Sequence, residues 1–439
     1  MNAEVIIIGA GVSGLAAAVR LVRAGLQVSI IEARPQIGGR IFTRRDTATN
    51  TAIELGAEFI HGCPPEIFDL LKERHVKPVA VSGDPWCVDT RVHPCDFFSQ
   101  IDDLLQKMDD AGRDQSFVDF LGQHPEAPPE IRDRALAYVT GFNAADPKLV
   151  SEHWLVQGLR AEEEIGGERA FRIPGGYQVL IEIYRKQLMD AGASILLNTV
   201  AENIRWQNGE VEIAANHPTE SFTLKAPRAL VTLPLGVLQA KAGQPGAIRF
   251  IPELPAEKRD ALDQLVMGRV IRMTLRFRER FWDEIKPQPG GKKTLAHMSF
   301  LFSPDDRFPT WWTTMPEKLP IITAWSPSRC ADQLSGLGEF AVAEKALETL
   351  SRLLAVGNSE LESQLEVAYM HDWQTDPFSR GAYSYVKVGG TGAPHELARP
   401  VDKTLFFAGE ATDTSGFTGT VHGGIASGHR AAGEILKAL

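Results

Sequence analysis

Residues Val5 to Glu32 read VIIIGAGVSGLAAAVRLVRAGLQVSIIE. Val5 to Ile8 is an unbroken apolar run of β-branched residues, the mark of a strand buried on both faces. Gly9, Gly11 and Gly14 follow in G-x-G-x-x-G spacing. The first glycine permits a tight turn, the second lets a pyrophosphate approach the backbone, and the third lets helix and strand pack closely. Leu15 to Arg23 reads as a helix, with Gly25 at its left-handed C-cap. Its N-terminus, with free N–H groups and roughly half a positive charge, favours an anion. Val28 to Ile31 is a second parallel strand ending in Glu32, whose carboxylate can accept from a ribose hydroxyl and would repel a 2′-phosphate. NADP is therefore disfavoured. Strand, turn, helix, strand and acidic end in register make a dinucleotide site, but the motif does not choose between NAD and FAD.

The chain of 439 residues has room for two or three domains and a large core. A hydrophobic content of 44% with 23% charged residues is that of an ordinary globular protein, and nothing suggests disorder. The net charge of −10 leaves no basic footprint for nucleic acid and mildly favours cationic ligands. Cys63, Cys87, Cys95 and Cys330 show no C-x-x-C pairing and no histidines at metal-ligand spacing, so reduced thiols, no metal and a cytoplasmic location are expected. The first strand begins too close to Met1 for a signal peptide, and no run of about 18 apolar residues suits a membrane.

Past Glu32 and Arg34, Gly38-Gly39-Arg40 forms a second turn whose backbone can approach the pyrophosphate while Arg40 neutralises it through a fork of donors. Glu54 to Gly62, ELGAEFIHG, is a glycine-bounded segment able to run beside a flat ligand; it contains Gly56, Ala57, Glu58 and Phe59. Together these pieces resemble the flavin-dependent amine oxidases, the family of polyamine oxidases, monoamine oxidases and flavin-dependent histone lysine demethylases. The pattern lies nearest the polyamine oxidases. The Gly-Gly-Arg turn moves the expected cofactor from NAD to FAD. The resemblance implies a two-domain α/β fold. A Rossmann-type FAD-binding domain would be assembled from residues 1–65, 168–245 and 390–439, and a substrate domain of mixed sheet and helices from 66–167 and 246–389.

From Cys63 to about Gly167 the sequence reads as helical, without strand signals. Phe97, Phe98, Ile101, Leu104, Leu105 and Met108 recur at helical spacing and read as core, and the acidic run Glu162 to Glu164 reads as a solvated face. A helix is expected over Val179 to Asp190 and strands over Ile195 to Leu197, Ala229 to Leu233 and Val270 to Phe277. By resemblance, Val200 offers its backbone to the adenine ring. Trp311, Trp312 and Trp325 mark aromatic-rich strands, and Phe340 to Leu354 an amphipathic helix. Strand Thr404 to Ala408, the turn at Gly409 and Glu410, and a closing helix from Thr420 through Val421 to Ala438 can bring N–H groups to the ribityl chain and the flavin O2.

The resemblance further implies hydride transfer to flavin N5 from the carbon beside a neutral amine, hydrolysis of the imine, and reoxidation by oxygen to hydrogen peroxide. Trp373 would flank the ring and Tyr383 would form one wall of an aromatic cage. Ala382 stands where monoamine oxidases carry the cysteine that bonds to the flavin, so FAD is expected to be non-covalent. Thr420 stands where they place the second cage tyrosine, leaving a wider slot suited to a secondary amine in a longer chain. His61 matches a position lining the substrate tunnel of polyamine oxidases, and Glu58 could contact a second amine. Arg272 departs from the family, which mostly has lysine there, holding a water at flavin N5. Arginine stays protonated and presents a planar fork. It could hold the water by a different geometry, bind a substrate carboxylate, mark a loss of fast oxygen chemistry, or point away to a surface ion pair.

The expectation is oxidation of a small polyamine-like amine with oxygen, with Arg272, Tyr383, Thr420 and His61 as reacting-site residues. The alternatives are an amino-acid or other amine oxidoreductase and a flavin-binding protein that has lost turnover. Histone demethylation is set aside because no extra recognition domain or long helical hairpin insertion is read, and the sequence does not give the oligomeric state.

Overall fold

The computed structural model describes residues 3–287 and 293–439; residues 1, 2 and 288–292 of the expected domain ranges lie outside it. Val5–Ile8 is the middle strand of a five-stranded parallel sheet ordered Ser194–Leu196, Val28–Ile31, Val5–Ile8, Arg228–Val231, Leu405–Phe407. Its side chains alternate between two cores. Val5 and Ile7 pack among Leu15, Val19, Leu180 and Ile425 of helices Val12–Arg23, Gln178–Asp190 and Val421–Lys437. Ile6 and Ile8 pack instead with Ile204, Val211 and Ile213 of a four-stranded sheet on the opposite face. Each such side chain stabilises the fold by about 1.5–3 kcal/mol when fully buried. Segments far apart in sequence thereby become one layer.

A second, seven-stranded sheet is ordered Leu365–Met370, Val270–Phe277, Ile321–Pro327, Thr310–Thr313, Met298–Phe302, Asp84–Val88, Val92–Pro94. All eight residues of Val270–Phe277 are buried. Ile271, Met273, Leu275 and Phe277 pack with the Glu339–Leu354 helix. The two-residue period therefore sends Arg272 to the other face, toward the space between the sheets. Trp311 and Trp312 divide in the same way, the first into that core and the second into the cavity. Helices Ser99–Leu105, Phe117–Gln123, Pro129–Phe142 and Glu152–Glu164 pack as a wall around a third core.

Three expectations for the region between Cys63 and Gly167 are corrected. The region is not wholly helical, because Val79–Ala80, Asp84–Val88 and Val92–Pro94 are strands. They are short and hold Pro85 and Pro94, so no periodic signal exposes them, and the pairing of Asp84–Val88 with Met298–Phe302 is remote in sequence. The apolar stripe is helical only over Ser99–Leu105; Phe97, Ile101 and Leu105 line the central cavity as well as packing, whereas Phe98, read as core, lines the cavity 47% exposed. Cys87 and Cys95 are not reduced thiols but a disulfide, with Cα atoms 5.6 Å apart. The hairpin pairs Cys87 with His93, and the chain turns Cys95 back beside it. That neighbourhood follows from the unread hairpin and not from the cysteine spacing. Disulfides are uncommon in reducing compartments, so the cytoplasmic expectation loses the support it drew from the cysteines. Among the described residues no helix is long and apolar enough to cross a membrane.

Candidate active site

A cavity of about 1340 Å³ joins the carboxyl end of the parallel sheet to the inner face of the seven-stranded sheet. Gly9, Gly11, Glu32, Arg34, Gly39, Arg40 and Val200 line one end of it. Gly9 has φ +106°, and a Cβ on Gly14 would collide with the Gly9 carbonyl oxygen. Gly11 instead faces open space and serves as N-cap of Val12–Arg23 without a side-chain cap or an acidic residue in the first turn. The helix's first N–H groups are thus left for an anion. Glu32 is 4% exposed and accepts from the N–H groups of Ala10 at 2.8 Å and Arg34 at 2.9 Å. Burial raises its pKa. Each carboxylate oxygen retains a further lone pair for a hydroxyl. Main-chain donors, an acidic acceptor and a glycine-lined floor fit FAD at this end.

The arginines here are tied to the protein. Arg34 pairs with Asp376 at 2.8 Å and lies 5.8 Å from the centre of the Trp373 ring. Arg40 donates from Nη1 to the Ala382 carbonyl at 2.7 Å and to Glu410 at 2.8 Å. Glu410 also accepts from the Ser384 hydroxyl at 2.6 Å and the Gly419 N–H at 3.1 Å, joining three remote segments. Gly409 is held by its N–H to the Ser427 hydroxyl at 2.9 Å.

In the middle of the cavity Trp373 is pinned by Nε1–H to the Leu55 carbonyl at 2.7 Å. A Cβ on Gly56 would lie 3.3 Å from this ring and would collide with the Arg40 carbonyl. Tyr383 donates to the Phe142 carbonyl at 2.9 Å, and burial raises its pKa. Ala57, Phe59, Ala382, Thr420 and Val421 complete this part of the lining. The Thr420 hydroxyl donates to the Phe417 carbonyl at 2.7 Å and accepts from the Gly423 N–H at 3.0 Å, so it caps the closing helix.

Arg272, 6% exposed, donates from Nη1 to the Gly56 carbonyl at 3.1 Å and from Nη2 to Glu58 at 2.5 Å. The surface-ion-pair reading is corrected: the two-residue period of its strand turns this side chain inward. Glu58 also accepts from Arg172 Nε at 2.7 Å and Trp312 Nε1 at 3.0 Å. Burial opposes its charge, but the Arg272 and Arg172 guanidiniums outweigh it and hold the carboxyl below the usual carboxylate range. Both oxygens are engaged by the protein, which removes Glu58 as a free contact for a second amine. Nε of Arg272 is buried and has no partner among the described residues.

His61 packs edge-on to Phe142 with ring centres 5.0 Å apart, and burial lowers its pKa to about 4. His422 is also buried in the lining; burial and then the neighbouring His61 lower it to about 3. Both are neutral at pH 7. Sequence reasoning missed Trp312, Phe142, His422 and Glu162 as cavity residues, and Arg172 as a partner of Glu58 behind the lining. A charge inside the apolar run Ala170-Phe171-Arg172-Ile173 was the available signal for Arg172. The reading of Glu162 as part of a solvated face is corrected: it lines the cavity, and burial pushes its carboxyl up to about 7.

Residues 12–97 and 101–436 match the family model of the flavin containing amine oxidoreductases. A lysine-specific histone demethylase 1 homolog 1 of Oryza sativa subsp. japonica is 30% identical over 99% of this chain and 52% of its own length. Polyamine oxidase 3 of the same organism is 27% identical over 98% of this chain and 88% of its own length. The chain spans about half the length of the demethylase relative. Among solved structures, putrescine oxidase bound to putrescine is 22% identical with a TM-score of 0.82, covering 100% of this chain and 99% of that one. Cyclohexylamine oxidase from Brevibacterium oxydans IH-35A is 22% identical with a TM-score of 0.79 and the same coverage. At these identities the two structures establish a shared fold.

Proposed function

The chain belongs to the flavin-containing amine oxidoreductase family, and on that premise we propose that it oxidises a secondary amine within a polyamine-like chain to an imine, using non-covalent FAD and molecular oxygen. The chemistry that FAD supplies when bound is acceptance of a hydride and return of the electrons to oxygen as hydrogen peroxide. The glycine turns, Glu32, Val200 and the N-terminus of the closing helix would hold it. Water then hydrolyses the imine to an aldehyde and a shorter amine.

The observation that carries this reading is a slot with one aromatic wall, made by Tyr383 and pinned to the Phe142 carbonyl at 2.9 Å. Thr420 lines the same cavity, at the position where the resemblance places a second cage tyrosine, and its hydroxyl is spent on the helix cap. The open side leaves room for carbon on both sides of a nitrogen, while the Tyr383 face orients the amine and attracts it if protonated. Neutral His61 and His422 do not repel an incoming ammonium. The engagement of Arg272 with Glu58 argues against an amino-acid substrate, whose carboxylate would need the same fork. The unspent Nε supports a water held at that donor.

Anaerobic visible spectra of the holoprotein test the proposal against spermine, spermidine, N-acetylated polyamines, monoamines and L-amino acids. Bleaching of the flavin by polyamines is the expected result. Bleaching by amino acids alone would replace it with the amino-acid reading, and a yellow protein bleached by no amine would leave only a flavin-binding protein.

A further inference from the structure

Two pairs of nearly parallel rings line the cavity. Phe97 stacks on Phe302 with ring centres 4.4 Å apart and planes 18° from parallel, and Tyr138 stacks on Phe142 at 5.4 Å and 18°. Phe98 stands edge-on to both pairs, 6.0 Å from Phe302 at 89° and 6.4 Å from Phe142 at 80°. It is half-exposed and lines the cavity together with exposed Ser82 and Asp102. This ring therefore spans the gap between two stacks at a rim where the cavity meets solvent.

The backbone that carries it is lightly tied. Among the described residues the N–H groups of Asp96, Phe97 and Phe98 donate to no acceptor of the protein. The segment enters from Cys95, whose N–H donates to the Pro85 carbonyl at 3.3 Å and whose sulfur is bonded to Cys87. Phe98 follows Cys95 by three residues, which keeps it within about 10 Å of the bridge. Cys87 in turn is the ladder partner of Phe302, the ring on which Phe97 stacks. Its strand, Asp84–Val88, is paired on both sides, with Met298–Phe302 and with Val92–Pro94. The hairpin register is complete before the chain reaches Cys95, so the sheet does not need the disulfide. Opening the bridge frees the exit of the hairpin and the ring it leads to, and leaves the ladders in place.

Resting on the amine-oxidase reading, we propose that Phe98 gates the cavity and that the Cys87–Cys95 bridge positions it, so that the bulk of amine admitted depends on whether the bridge is closed. A ring held edge-on between two stacks selects by bulk and not by charge: a slender alkylamine passes, and a chain with bulky nitrogen substituents is held back until the ring can swing aside. Cys95 is the more exposed partner and the sulfur that a dithiol reductant reaches. One thiolate of the reductant attacks that sulfur, and its second thiol resolves the mixed disulfide. The bridge takes up two electrons and two protons to become two cysteine thiols, while the reductant closes to its own disulfide. In an oxidising compartment the rim stays narrow, and where dithiol reductants prevail it widens.

The test compares holoenzyme of the wild type, Phe98→Ala, the paired variant Cys87→Ser with Cys95→Ser, and all three substitutions together. Anaerobic flavin reduction is followed with spermidine and with its terminally dibenzylated derivative. Phe98→Ala and the serine pair should each raise the relative rate of the dibenzylated amine by roughly tenfold, through the second-order constant and not the limiting rate. The combined variant should gain little more, because one gate opens once. Dithiothreitol should bring the wild type to the behaviour of the serine pair as the thiols titrated in unfolded protein rise from two, Cys63 and Cys330, to four. Hydrogen exchange over residues 95–105 reads the positioning without any amine and should quicken in the serine pair. An unchanged ratio, additive effects or unaltered exchange overturns the inference and leaves amine oxidation intact. If no amine reduces the wild-type flavin, the functional reading falls and the gate with it.

Discussion

At the nucleotide end the cavity is bounded by main chain: the turn at Gly9, the open N-terminus of Val12–Arg23, the paired glycines before Arg40. At the amine end it is bounded by side chains from separate elements, with Glu58, Arg272, Trp312, Tyr138, Glu162 and Tyr383 each arriving on a different one. A backbone-built site depends on conformations that a few neighbouring residues dictate. A site built from side chains depends on which remote strands and helices meet. The first tolerates little change in residue size, the second little change in charge.

The contrast breaks first at Gly14. Gly14→Val would force a side chain against the Gly9 carbonyl, and overpacking of about 1–3 kcal/mol or more predicts flavin binding weakened tenfold or more, read from the ratio of flavin to protein absorbance. Retention of full flavin content would show that the turn is less constrained than its contacts indicate.

At the amine end, Glu58→Ala would leave Arg272 and Arg172 buried without their shared carboxylate, at a cost of about 3–5 kcal/mol in unfolding free energy. Denaturant midpoints measure it. Truncating Arg272 to Met in the same chain should restore part of the loss, because one buried charge then disappears with the other. A fully additive double variant would mean that the pair is not coupled.

These differences explain what could be read in advance. The G-x-G-x-x-G turn, its flanking strands and the acidic end are contiguous, so local pattern alone located them. The inward face of Arg272 was left open although strand alternation, which fixes which face a residue takes, carried the signal for it. Its partner carried no such signal: Glu58 lies 214 residues away, and no periodicity links two such positions. Glu162 lines a cavity assembled from segments remote in sequence, and so a run of three glutamates read as solvent-facing. Cys87 and Cys95 failed for the same reason, since the hairpin that joins them has two prolines and little alternation.

The smallest test concerns a side chain that serves the backbone. Thr420→Ala should lower stability by about 1 kcal/mol through loss of the cap on Val421–Lys437, and Thr420→Ser should keep most of it. Thermal unfolding separates the two variants. Equal loss in both would assign the effect to the methyl group and its packing.

The parallel sheet also imposes an order of events on synthesis. Val5–Ile8 and Val28–Ile31 are made almost at once, Arg228–Val231 only midway, and the edge strand Leu405–Phe407 near the end. At about 5–20 residues per second the ribosome needs tens of seconds to deliver all five. Throughout that interval an apolar strand meant to be covered on both faces has only part of its cover. Glu410, which ties Arg40 to the Ser384 segment, emerges later still. Cofactor capture therefore belongs to the final moments of folding, and the yield of yellow protein in a cell depends on what shelters the growing chain until its last strand arrives.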